Sequence, residues 1–71
     1  MPKLFSSRHI IKVLEENGFE FIRQRGSHRE YRKQNKTEVS TVIIPADRKE
    51  IPTGTFKSIL RQSELKKEDF D

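Results

Sequence analysis

The run Val39-Ser40-Thr41-Val42-Ile43-Ile44 is β-branched at five of six positions, and Pro45 follows it. Side chains of this kind crowd a helix and pack well on a pleated surface, so the run is a strand. Proline has no N–H to donate to a sheet ladder, which closes it. A strand needs neighbours along its edges and a layer over at least one face. The chain has to supply both within 71 residues. A chain this short buries only about 60% of the surface that its unfolded form exposes. That predicts one domain, residues 1–71, around one core.

Partners for the strand lie just upstream. Phe19 to Arg25 alternates weakly, with Phe19 and Phe21 on one face and Ile22 on the other. Gly26-Ser27 is a turn signal, His28 to Lys33 a second strand, and Gln34-Asn35-Lys36-Thr37 a hairpin-like connection. Helical patterns flank the three strands. Ser6 or Ser7 can cap a first helix over about residues 6–17, with Ile10, Val13 and Leu14 on one face and Gly18 ending it. After a polar loop from Ala46 to Pro52, Thr53 or Thr55 caps a second, with Phe56, Ile59 and Leu60 as its apolar face. A short turn from Lys66 to Phe70 is expected to fold Phe70 onto the core. The fold class is therefore α+β, in the order α-β-β-β-α: a three-stranded antiparallel meander with two helices on one face. The middle strand, His28-Arg29-Glu30-Tyr31-Arg32-Lys33, is almost wholly polar, so the sheet should keep its other face open.

Composition narrows the function. There is no cysteine, hence no disulfide framework and no thiolate metal site. The longest apolar run is the three residues Val42-Ile43-Ile44, against the roughly 20 needed to span a bilayer. Met1-Pro2-Lys3-Leu4-Phe5 has no signal-peptide apolar region, so the expected location is cytoplasmic, with no membrane partner. The formal net charge is +4 and is unevenly spread. From Arg23 to Lys36 six bases face one acid, Glu30, whereas the last eight residues carry four acids and two lysines. A basic stripe is the footprint of a polyanion binder, although a solvated surface strand can look the same.

Of the two histidines, His9 lies in the first helix beside a capping serine, where a structural role is the simpler reading. His28 opens a strand after Gly26-Ser27, with Arg25 and Arg29 close by. That turn would hold the imidazole at the rim of the sheet, within reach of a phosphodiester, where a neutral imidazole can act as a general base. Other chemistries fit poorly. Paired carboxylates are missing from the basic region, two histidines provide no metal-ligand spacing, and Gly26 and Gly54 are isolated rather than part of a phosphate-binding loop. Ser27 adjoins His28, but neighbours on a strand point to opposite faces, which argues against a Ser-His nucleophile pair. Arg25, Arg29 and Lys33 are candidate phosphate ligands. Arg23 and Arg61 are phosphate contacts or ordinary surface charges. Tyr31 either stacks on a base from the open face or belongs to the core.

Gly18-Phe19, Arg23-Gln24-Arg25-Gly26-Ser27-His28, Tyr31, Ile44-Pro45, Thr53-Gly54-Thr55 and Ser58-Ile59-Leu60-Arg61-Gln62, in that order, resemble the HicA mRNA interferase toxins. The likeness runs from about Ser6 to Phe70. It implies a fold like that of a double-stranded-RNA-binding domain. It also implies the toxin of a type II toxin–antitoxin system: a metal-independent endoribonuclease with no cofactor that cleaves mRNA and is neutralised by a HicB antitoxin. The family's catalytic histidine corresponds to His28, and Arg23, Arg25, Ser27, Arg29, Tyr31 and Lys33 around it are the expected RNA-binding set. One departure is Asp47, where many members carry a histidine two residues after the proline. The rival reading is a non-catalytic RNA-binding module on the same fold.

Overall fold

The computed structural model describes residues 3–71. Met1 and Pro2, included in the expected single domain, lie outside the described residues. The first helix, α1 (Ser7–Glu16), is capped by Ser6, whose Oγ accepts the His9 N–H at 3.1 Å. Ile10, Val13 and Leu14 are its buried stripe. It ends in a Schellman turn: Phe19 N–H donates to Leu14 O at 3.0 Å and Gly18 N–H to Glu15 O at 3.1 Å. Gly18 takes the left-handed conformation there, at φ 92°.

Three strands follow, β1 (Glu20–Arg25), β2 (His28–Gln34) and β3 (Val39–Pro45), paired antiparallel in the order β1-β2-β3. Strand alternation sets the faces. Tyr31 pairs with Val42 and Arg29 with Ile44, and Tyr31, Val42 and Ile44 are buried beneath the helices. His28, Glu30 and Arg32 point the other way, beside Pro45, Ile43 and Thr41. The open face anticipated from the polar middle strand is this one.

A bulge in β1 breaks the alternation. Phe21 pairs with Tyr31 but Arg23 with Glu30, so Ile22 is one residue too many. In an unbroken strand, positions 21, 23 and 25 would share a face. With the bulge, Phe21 stays on the helix side, its ring edge-on to Tyr31 at 5.7 Å, while Arg23 and Arg25 join Glu30 and His28 on the open side. Phe19 and Phe21, expected on one face, differ in burial. Phe19 precedes the strand and is fully buried, whereas Phe21 sits half-exposed at the sheet edge.

The second helix, α2 (Thr53–Ser63), begins differently from the sequence expectation. Pro52 takes the capping position with no side-chain hydrogen bond, and Thr53 is already helical. Proline's fixed φ suits a helix start, and its missing N–H costs nothing there. Phe56 and Ile59 are buried and Leu60 packs at the margin. On the far side of β3, Gln62 Oε1 accepts the edge N–H of Ile43 at 3.1 Å. A 3₁₀ turn (Lys67–Phe70) brings Phe70 into the core as anticipated, 5.2 Å from Phe56 and 6.2 Å from Phe5. Phe5 and Ile51, not singled out in the sequence, are core residues too. Both helices, the sheet and the terminal turn thus share one hydrophobic cluster. Each fully buried aliphatic side chain contributes roughly 1.5–3 kcal/mol. Among the described residues no helix is long and apolar enough to cross a membrane.

Candidate functional site

The β1–β2 hairpin turns on two residues. Gly26, at the first central position, has φ 56°, and Ser27 is not left-handed, which is the residue pattern of a type II′ turn. Arg25 and His28 therefore face each other across the hairpin mouth, and His28 is paired with Pro45 on its other side. Ser27 O accepts the Ala46 N–H at 2.6 Å, tying the turn to the segment after β3. Two anchors thus fix the exposed imidazole at the rim of the open face. Its Nδ1 lies 3.4 Å from Ser27 Oγ, and its Nε2 has no hydrogen-bond partner among the described residues.

That contact corrects one expectation. Ser27 lies in the turn, not in the strand, so alternation does not carry its side chain to the opposite face. At 3.4 Å the hydroxyl is at the outer limit of a hydrogen bond, suited to orienting the ring through Nδ1 rather than to acting as a nucleophile.

A small cleft of about 100 Å³ opens beside His28, lined by Arg23, Arg25, Arg29, Glu30 and Ile43. The charges in it are not equivalent. Glu30 accepts from Arg23 Nε at 3.1 Å and from Arg32 Nη2 at 2.7 Å. Its carboxyl lies below its ordinary value of 4.5, chiefly because of the Arg23 hydrogen bond, with partial burial pushing the other way and Arg32 adding to the lowering. Arg23 is thus half-committed to Glu30. Arg25 forms no ion pair among the described residues. Arg29 donates through Nε to Gln24 Oε1 at 3.0 Å and lies 6.0 Å from the Phe21 ring centre, an arrangement that orients its guanidinium without neutralising it.

Two expected binding residues lie elsewhere. The Tyr31 ring is 2% exposed and belongs to the core, so it has no face on which a base could stack. Lys33 sits on the helix side of β2, its Nζ 5.9 Å from the Phe19 ring centre. It stands five positions along the strand from His28, roughly 16 Å at the usual rise. Among the described residues Arg61 hydrogen-bonds only to Ser58 of its own helix, at 3.4 Å. His9 is structural: its ring stacks on Phe5 at 5.0 Å and its Nε2 donates to Phe70 O at 2.6 Å. Sequence reasoning missed Glu30 as an organiser of the open face, although its isolation among six bases was the visible signal. Among the described residues, no three His, Asp or Glu side chains are grouped as a metal site would require.

No curated protein matches the chain. A family model described as the HicA toxin of bacterial toxin–antitoxin systems matches residues 7–65, which span α1, the whole sheet and α2. The ordered Gly-Ser-His turn, the strand ending in proline and the Ser-Ile-Leu-Arg-Gln helix all lie within that match, and the chain belongs to the HicA toxin family.

Proposed function

We propose that this toxin is a metal-independent endoribonuclease that cleaves mRNA and so blocks translation, with His28 as its acid–base group. The observation that carries this reading is the His28 imidazole, exposed at the hairpin rim with Nε2 unpartnered and the guanidinium-lined cleft beside it. In the reaction the ribose 2′-oxygen attacks phosphorus, its proton passes to His28 Nε2, and the P–O5′ bond breaks. The O5′ oxygen takes a proton from solvent water and leaves as a 5′-hydroxyl, and a 2′,3′-cyclic phosphate remains. Arg25 and Arg29 hold the phosphate and offset the charge that builds on its oxygens. Ser27 Oγ steadies the ring through Nδ1.

Membership of the family implies an antitoxin partner. The partner proposed is a HicB-type protein that presents acidic or hydrogen-bonding groups to the open face and covers His28, since the two proteins would meet in the cytoplasm where mRNA is translated. Complementary charge would speed that encounter. The test is cleavage of a labelled RNA by purified protein in EDTA, wild type against His28→Ala. Wild type should cleave, and His28→Ala should bind RNA but leave it intact. Cleavage by His28→Ala at the wild-type rate would overturn the catalytic assignment. RNA binding without cleavage by either protein would favour the non-catalytic module.

A further inference from the structure

The basic stripe of the hairpin is not the only concentration of basic side chains among the described residues. A cleft of about 740 Å³ runs between the start of α1 and the segment that follows β3. Five bases line it: Arg8 and Lys12 from α1, Arg29 from β2, and Arg48 and Lys49 from the loop before α2. Two acids, Glu15 and Asp47, share the lining. Among the described residues the ion pairs are those made by Glu30 on the open face, so neither acid is paired with a base in the cleft.

The walls are held in place by a buried hydroxyl. Ser7 Oγ donates to Pro45 O at 2.6 Å and accepts the Arg48 N–H at 3.0 Å, while Ser7 N–H donates to Arg48 O at 2.9 Å. The first turn of α1 contains no acid, and Arg8 occupies it. A cation there opposes the positive end of the helix dipole, an arrangement that an arriving anion relieves. Arg29 lines both this cleft and the smaller one containing His28, so its side chain lies at the border of the two.

We infer that this cleft is the binding track for the RNA backbone, in which Arg8, Lys12, Arg48 and Lys49 hold phosphates flanking the one that Arg29 passes to His28. The inference rests on the reading of the protein as an RNA-cleaving toxin and adds to it the residues that hold the substrate. Asp47 tempers the track, because its carboxylate lies among the four bases and repels phosphate.

The experiment measures binding of a short fluorescent single-stranded RNA to His28→Ala protein across a salt series. Arg8→Gln/Lys49→Gln, made in that background, is compared with Lys57→Gln/Lys67→Gln, which removes the same charge from exposed positions outside the cleft. The cleft pair should weaken binding about tenfold at low salt and flatten the slope of log affinity on log salt by about 1.4. The control pair should change both far less. Asp47→Asn, whose side chain also tolerates the left-handed backbone at φ 56°, should tighten binding. A purely structural role for the cleft residues would produce no such gain. Equal effects of the two pairs, or unchanged binding in Asp47→Asn, would overturn the track. So would a cleft pair that binds RNA normally but no longer binds the antitoxin. If wild type fails to cleave while the cleft pair still weakens RNA binding, the cleavage reading falls and the track stands.

Discussion

Ser7 Oγ donates a 2.6 Å hydrogen bond to the carbonyl of Pro45, 38 positions along the chain. Pro45 is also the residue paired with His28 in the sheet, so one buried hydroxyl connects the start of α1 to the rim that carries the imidazole.

Ser7→Ala should leave the Pro45 carbonyl and the Arg48 N–H without their partner. The cost of such buried unsatisfied groups is about 1–3 kcal/mol. The thermal midpoint should fall by roughly 4–8 °C per kcal/mol for a domain of this size. Calorimetry of the pure protein checks this, and an unchanged midpoint would mean that solvent replaces the bond.

His9→Ala should loosen the C-terminal turn without touching the chemistry. It removes the 2.6 Å bond to Phe70 O and the stack on Phe5. The combined loss is about 1–3 kcal/mol. Limited proteolysis should cut faster near Phe70, while RNA cleavage by the folded fraction stays at the wild-type level. Folded but inactive His9→Ala would move the catalytic role to this residue.

Gly26→Ala isolates backbone strain at the hairpin. No atom lies within 4 Å of the position a Cβ would take, so crowding contributes nothing. The left-handed φ of 56° costs a non-glycine residue about 1–2 kcal/mol. If the turn relaxes, His28 moves, and an error of about 1 Å in placing a catalytic group can cost about a hundredfold in rate. A modest stability loss with a larger fall in kcat is expected. Gly26→Asn should be milder in both.

Acid should weaken the protein partly through Glu30. Its pKa is lower in the folded chain than the ordinary 4.5, so its contribution is complete above that value and is lost as pH falls through the lower folded pKa. Thermal midpoints of wild type and Glu30→Gln, compared from pH 7 to pH 3, should converge in acid. At neutral pH Glu30→Gln should also bind RNA more tightly, because Arg23 and Arg32 are released. Parallel pH curves would show that the pair contributes nothing to folding.

The order of elements was legible because its signals are local: β-branching from Val39 to Ile44, apolar spacing in both helices, and Gly18 and Gly26 where the backbone must turn. The position of His28 was legible for the same reason, since a two-residue turn fixes it. What was not legible depends on long-range packing. Lys33 and Tyr31 look like parts of one polar strand, yet alternation sends both to the helix side, one over Phe19 and one into the core. Arg8 and Arg48 are 40 positions apart, and the Ser7 lock brings their segments together. Ile22 carries no mark of being the extra residue in β1.

The bulge at Ile22 also bears on how copies of this chain behave when crowded. β1 is an edge strand, and Phe21 and Ile22 expose apolar surface there, the combination that invites another molecule to add a strand and aggregate. A second copy laid along that edge would find its ladder out of step at Ile22. Beyond that point, in a symmetric pairing centred on Gln24, Arg23 and Arg25 would oppose each other as like charges. The irregularity that sorts the arginines onto the open face therefore also makes β1 a poor template for an added strand.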